Sequence, residues 1–261
     1  MREITPEECK KLQLNILINV AKFCDEHDIK YSLAYGTLIG AIRHNGFIPW
    51  DDDIDIIMMR DEYERFVSLY KDEKYVLIHG ENMSNHLHVV VSDLSTKLEF
   101  FNRAGQSHFY HGGLWVDIFP IDNAPSSIIK FKVLKKVIRY ACIMHRCSQF
   151  SYPHCSLPRR MAYLLLRPFE KLLSKMPSAL VKAYDTRNTG TLANFSIWRL
   201  NFPPFPISYM NEFVKVEFEG NKFKAIKEYD SFLKGIYGDY MILPPIEERI
   251  NKHSFKAYWR E

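Results

Sequence analysis

An α+β fold is predicted by three features of the chain. A capping box opens a helix, short apolar runs suited to strands recur between residues 31 and 119, and a long helical stretch begins after residue 126. With 261 residues, of which 47% are hydrophobic and 25% charged, the chain has an ordinary globular balance and enough apolar surface for a sizeable core. No repeat, low-complexity segment or Pro/Gly/Ser-rich linker divides it.

Thr5-Pro6-Glu7-Glu8 is the capping box, with proline at the first helical position, and Leu12, Ile16, Val20, Phe23 and His27 follow at helical spacing to about Asp28. Tyr31–Tyr35 reads as a short strand, Thr37–His44 as a short helix, and Asn45-Gly46 as a turn towards Pro49. In Asp53-Ile54-Asp55-Ile56-Ile57 the alternation predicts a strand, with both carboxylates on one face and the isoleucines on the other. Arg60–Asp72 reads as a helix, and Tyr75–His79, His86–Asp93, Leu98–Phe101 and Leu114–Phe119 as strands. From Ser126 to about Asn188 the pattern is helical, with breaks expected near Pro153, Pro158 and Pro177. Val214–Ile226 reads as a hairpin turning at Gly220-Asn221, and Glu228–Tyr237 as a last helix. The expected organisation is a catalytic core at 1–125, a helical insertion at 126–205 serving acceptor or membrane surface, and a C-terminal hairpin and helix at 206–261 packing back on the core.

A net charge of +4 spread along the chain does not mark a nucleic-acid binder. The N-terminus lacks the basic and apolar regions of a secretory signal, and no apolar run approaches a membrane span, so a cytoplasmic location is expected. The odd set Cys9, Cys24, Cys142, Cys147 and Cys155 fits reduced thiols there.

The chemistry centres on Asp51, Asp52, Asp53 and Asp55. A solvated acidic turn accounts for Asp51 and Asp52. It accounts poorly for Asp53 and Asp55, since like charges on one strand face repel and aspartate disfavours strands. A divalent cation offsets that cost, and a D-x-D pair offers magnesium the hard oxygens it takes alongside substrate phosphates. Gly36-Thr37 stands where a strand turns into a helix, where backbone can approach a phosphate and the helix N-terminus favours an anion. Gly-Thr followed about sixteen residues later by D-x-D is the layout of the nucleotidyltransferase superfamily.

The likeness goes further. "YGTLIGAIRHNGFIPWDDDIDI", "GGLWVDIFPID" and the tail "YGDYMILPP" followed by Arg249 and His253 resemble the conserved blocks of the LicD family of phosphotransferases, whose relatives include the fukutin-related protein. The match covers Tyr31–Asp122 and Tyr237–His253 and leaves the stretch between them unmatched. The resemblance implies a nucleotidyltransferase-like mixed sheet flanked by helices, and a site in which Asp53, Asp55 and Asp117 are catalytic and hold Mg2+, with Mn2+ as a substitute. It implies transfer of phosphocholine from CDP-choline, or a related CDP-activated donor, to a cell-surface glycan such as a teichoic acid or lipopolysaccharide precursor, with release of CMP. Ethanolamine phosphate or ribitol phosphate could replace phosphocholine as the transferred group. The residues agree for Asp117, because a carboxylate in the apolar run Leu114–Phe119 needs a cation or a core arginine.

Other residues carry two readings each. Arg43 and His44 either reach substrate phosphate or complement a helix C-terminus, and Asp52 could pair with Arg43. Trp50 and Trp115 either face a quaternary ammonium or pack. Arg249 and His253 either fold back on nucleotide phosphates or lie on a surface helix. His86 and His88 share a strand face without a third ligand, and Cys142, His145, Cys147, His154 and Cys155 match no common zinc spacing, so packed thiols are expected. Basic positions such as Lys132 and Arg139 on apolar helices suit either a solvated face or peripheral contact with the inner face of a membrane, where lipid-linked glycan acceptors reside. Two further functions compete: transfer of a nucleotide monophosphate to a small molecule, and a catalytically silent nucleotide-binding module, which would be expected to have lost one of the three carboxylates.

Overall fold

After β1 (Glu3–Ile4), helix α1 (Pro6–Glu26) starts at the capping box. Thr5 Oγ1 accepts from the Glu8 N–H at 3.2 Å and Glu8 Oε2 accepts from the Thr5 N–H at 2.9 Å. The buried face runs through Cys9, Gln13, Ile16, Leu17, Val20, Ala21 and Cys24. It is rotated from the expected stripe: Leu12 and Phe23 are half-buried, and His27 is exposed beyond the helix end. An apolar-only count passes over Gln13, a polar residue that this face accepts because its amide finds backbone partners.

The computed structural model describes residues 2–79, 87–101, 107–110, 112–149, 157–185, 187–197, 202–250 and 255–260. The chain divides into two units, one comprising Met1–Ile78, Val89–Phe119 and Ser208–Glu261, the other His79–His88 and Pro120–Ile207. In the first, β2 (Ser32–Leu33) is shorter than expected because Tyr35 turns the chain into α2 (Tyr35–His44) with φ +49°. Strand β3 (Asp55–Met59) starts at Asp55, so Asp53 precedes the strand instead of lying on it. Helix α3 (Arg60–Leu69) follows, then β4 (Tyr75–His79), β5 (Val89–Asp93), β6 (Thr96–Phe101), β7 (Ser107–Tyr110) and β8 (Leu114–Asn123).

Antiparallel β2 and β3 set Leu33 opposite Ile56, β3 neighbours β8, and β8 pairs antiparallel with β5, Val90 facing Asp117. β8 is buried from Leu114 to Asp122, as its nearly unbroken apolar run demands of a strand covered on both faces.

In the second unit the end of β8 pairs with β9 (Thr191–Ala193), which pairs with β10 (Phe205–Pro206). Helices α4 (Ile128–Gln149), α5 (Leu157–Leu166) and α6 (Glu170–Asp185) make up most of the rest. Their core gathers Phe131, Ile138, Cys142 and Val181 with Ala193 and Phe195. Pro158 sits in the first turn of α5, where its missing N–H costs nothing, and α6 runs through Pro177 without the expected break.

Back in the first unit, β11 (Phe213–Phe218) and β12 (Asn221–Ile226) form the hairpin, followed by α7 (Tyr229–Tyr237). The hairpin turns at Glu219-Gly220, one residue earlier than expected, with φ of +50° and +72°. Its tip holds the turn after α2: the Glu219 N–H donates to the Asn45 carbonyl at 2.9 Å, and Glu219 Oε1 accepts from the Phe47 N–H at 3.0 Å. Strand β13 (Phe255–Trp259) joins β1 and β6 in a second small sheet that ends at β7.

A Cβ on Gly40 of α2 would overlap the Gly46 carbonyl oxygen and lie 3.3 Å from the Ile48 nitrogen. Helix propensity favours alanine over glycine by about 1 kcal/mol, but a backbone overlap of this kind costs about 1–3 kcal/mol. Gly40→Ala is therefore expected to be net destabilising by up to about 2 kcal/mol, read as a lower urea midpoint at unchanged slope.

Candidate active site

The pairing of β2 with β3 builds the site. The Ala34 N–H donates to the Asp55 carbonyl at 3.0 Å, and the Asp55 N–H donates to Thr37 Oγ1 at 2.8 Å, so the Gly36-Thr37 turn lies against Asp55. On the other side the Asp117 N–H donates to the Ile54 carbonyl at 2.9 Å, which sets Asp117 beside the link between Asp53 and Asp55. Tyr35, at the turn, holds a positive φ that costs a bulky residue about 1–3 kcal/mol. Its ring packs 6.0 Å from those of Phe119 and Phe232.

Asp51, Asp52 and Asp53 each place a carboxylate oxygen within 4.8 Å of the others, all half-buried. The expectation that Asp51 and Asp52 are merely solvated is corrected here. The Asp51 N–H donates back to the Ile48 carbonyl at 2.9 Å, and this turn gathers consecutive side chains that an extended strand would alternate. The Asp51 carboxylate lies so close over Gly36 that a Cβ there would overlap Oδ2. No side chain caps α2 at Ala34, and its positive end favours that anion.

Burial pushes the Asp55 carboxyl well above the usual carboxylate range, and the charges of Asp53, Asp117 and Asp51 push it the same way. Trp115 Nε1 donates to Asp117 Oδ2 at 2.7 Å, with its ring among Phe100 and Phe255. Gln13, missed in the sequence, donates Nε2 to the Asp52 carbonyl at 2.8 Å and the Trp115 carbonyl at 3.4 Å, joining the acidic turn to β8. Its signal was a lone amide between Cys9 and Ile16 on one helical face. The carboxylates gathered within reach of one another are thus Asp51, Asp52 and Asp53, not the expected set of Asp53, Asp55 and Asp117; they are hard oxygen donors of the kind a divalent cation takes, with Asp55 close enough to feel their charge.

Four of the other predicted residues come together. Arg43, at the end of α2, donates Nε to His44 Nε2 at 2.9 Å and Nη1 to the carbonyls of Tyr240 and Ile242. It does not pair with Asp52, because the tail carbonyls take its fork. Arg249 donates Nε to the Pro244 carbonyl at 2.8 Å and sets its guanidinium 5.5 Å from the centre of the Trp50 ring, and His44 meets that ring edge-on at 6.3 Å. Burial and the neighbouring Arg249 charge lower Arg43, while burial and Arg43 lower His44. His253, like His86, His154 and Cys155, lies outside the described residues. Cys9, Cys24 and Cys142 are buried free thiols, and burial raises Cys9 and Cys142 to about 11, which leaves them protonated and inert.

Residues 28–178 match the family described as LicD/FKTN/FKRP, nucleotidyltransferase domain. The lipopolysaccharide cholinephosphotransferase LicD of Haemophilus influenzae is 30% identical over 266 residues, covering 99% of each chain. An uncharacterized protein of Rickettsia typhi is 31% identical over 119 residues, 44% of this chain and 36% of its own length. Another, from Rickettsia prowazekii, is 51% identical over 37 residues, 14% of each. Matched along nearly its whole length by such a relative, with the aspartates gathered around β3, the chain belongs to the LicD family.

Proposed function

We propose that this phosphotransferase moves phosphocholine from CDP-choline to a hydroxyl of a cell-surface glycan and releases CMP. The observation that carries the reading is the setting of Asp55, whose N–H is held by Thr37 and whose carboxyl is crowded by the charges of Asp53, Asp117 and Asp51, supported by what the Haemophilus relative's name says that protein does. Asp53, Asp55 and Asp117 would hold a magnesium or manganese ion, whose chemistry is to neutralise phosphate oxygens during in-line displacement. The acceptor hydroxyl oxygen attacks the phosphorus that bears choline, the bond from that phosphorus to the bridging oxygen breaks so that this oxygen leaves with CMP, and the hydroxyl proton passes to solvent.

The chain's own groups hold the site in place. Thr37 fixes the start of β3 through the Asp55 N–H, the Trp115 indole orients Asp117, and Gln13 ties the acidic turn to β8. Arg43 and Arg249 supply positive charge for the donor's phosphates, and the face of Trp50 that accepts a guanidinium is of the kind that accepts a trimethylammonium.

Incubation with magnesium and, separately, CDP-choline, CDP-ethanolamine, CDP-ribitol and CTP tests the donor. CMP released from CDP-choline in preference to the others is expected. Pyrophosphate released from CTP would replace this reading with nucleotide transfer.

Asp53→Asn and Asp55→Asn are each expected to lower turnover about a thousandfold, the equivalent of several kcal/mol of lost phosphate-charge stabilisation. The folded state holds the Asp55 proton more tightly than the unfolded chain, so this group makes the cation-free protein progressively less stable as pH rises from the ordinary carboxylate range through its raised value. Without added cation, Asp55→Asn should therefore match the wild type near pH 4 and melt higher than it at pH 8. Magnesium should raise the melting temperature of the wild type more than that of the variant.

Trp115→Phe keeps a ring among Phe100 and Phe255 but removes the donor to Asp117. A group that orients a metal-holding carboxylate is worth about 10–100-fold. The variant should lose that much kcat at little change in KM, and rescue by raised magnesium should be partial.

A further inference from the structure

Helix α4 has three longitudinal faces. Phe131, Lys135, Ile138, Cys142 and His145 are buried. Ile129, Val133, Val137, Tyr140 and Met144, spaced four, four, three and four residues apart, form one continuous stripe on the helix surface. That stripe is exposed, with Ile129 at 73%, Val133 at 57% and Tyr140 at 63% of full accessibility. Lys132, Lys136 and Arg139 run parallel to it on the next face, all exposed. On α5, Leu164 and Leu165 are also exposed, at 61% and 65%.

Residues 128–169 contain nine lysines and arginines and no aspartate or glutamate, although the whole chain carries only +4. The basic charge is thus gathered on this helical stretch and the remainder of the chain is net acidic. An apolar stripe this long is unusual on a water-facing surface. A flanking row of long cationic side chains is the arrangement by which a helix lies in a bilayer interface, with aliphatics among the acyl chains and cations at anionic headgroups. No helix among the described residues is long and apolar enough to cross a membrane, so these helices would lie on the bilayer.

From this geometry we propose that α4 and α5 form a peripheral docking surface for an anionic lipid bilayer. Charge selects the bilayer over a second copy of the chain, because two such surfaces face to face would set cations against cations.

The test is co-sedimentation of the full chain with phosphatidylglycerol/phosphatidylcholine vesicles and with phosphatidylcholine alone, at about 0.15 M salt. Binding to the anionic vesicles, at least about tenfold tighter than to the neutral ones, is expected. Lys132→Gln, Lys136→Gln and Arg139→Gln together should weaken it about a hundredfold, at roughly one headgroup interaction per cation. Ile129→Ser with Val133→Ser should weaken it about tenfold with every charge in place. Tyr140→Trp should add an emission component that shifts to the blue on anionic vesicles. The substituted side chains are exposed, and far-UV melting curves verify that each variant folds.

Absence of vesicle binding, equal binding to both compositions, or serine variants that bind like the wild type would each overturn the proposal. A dimer in light scattering that the serine variants convert to monomer, with vesicle binding unchanged, would assign the stripe to a second copy. Retention by an acidic protein but not by vesicles would assign it to a partner protein.

Discussion

Like charge held close together is the constraint to which the first unit is fitted. Two carboxylates about 4 Å apart repel by about 4 kcal/mol at the effective dielectric of a protein surface, and here Asp55 is pushed by three others as well as by burial. Three neutral groups grip the backbone of the cluster: Thr37 at the Asp55 N–H, Gln13 at the Asp52 carbonyl, and the Ile54 carbonyl at the Asp117 N–H. These main-chain contacts fix where the acids stand and bring no charge of their own. At Asp117 the contact is with the carboxylate itself, which accepts from the Trp115 indole N–H. The crowding at Asp55 strengthens its hold on a proton, and the proposed cation would act on the same oxygens.

Much of the fold was legible because local signals and tertiary demands coincide. The capping box at Thr5, the strand Tyr75–His79 and the apolar run of β8 stand where the pattern puts them. The misreadings have physical causes. The buried face of α1 rotates because a polar Gln13 has partners in the interior, and α6 absorbs Pro177 because packing outweighs a missing hydrogen bond. β3 starts late because a turn at Ile48–Asp51 curls the chain before extended structure begins.

At the site, spacing identified Asp53 and Asp55 as acids that need a reason to be there and Gly36-Thr37 as their neighbour, and the family resemblance added Asp117, which its apolar run supports. What they could not supply was anything bridging distant segments. Gln13 contacts the Trp115 carbonyl across 102 residues and Arg43 meets the Tyr240 carbonyl across 197, and no periodicity encodes such meetings. The motif thus supplied the candidate acids, while the groups that orient them and the carbonyls that hold Arg43 had to come from the fold. Trp115 shows the difference most directly. Two positions from Asp117 it read as either a choline face or packing; its ring packs among Phe100 and Phe255, and its indole N–H also meets that carboxylate.

Helix α4 of the second unit departs twice from the usual placement of side chains. Lys135 is 3% exposed, and burial draws its amine down to about 8, while Ile129 stands at 73%. Burying a cation costs several kcal/mol before compensation, and here the Lys135 ammonium stands 5.5 Å over the Phe131 ring. Exposing an aliphatic side chain forgoes about 1.5–3 kcal/mol. A helix fitted to water alone would exchange the two, since Lys135 and Ile129 lie on different faces and neither choice is imposed by α4 being a helix. Both departures occur on one element, in a stretch without a single acid, and the anionic bilayer proposed above would give the exposed aliphatic stripe of α4 the apolar surroundings that water does not.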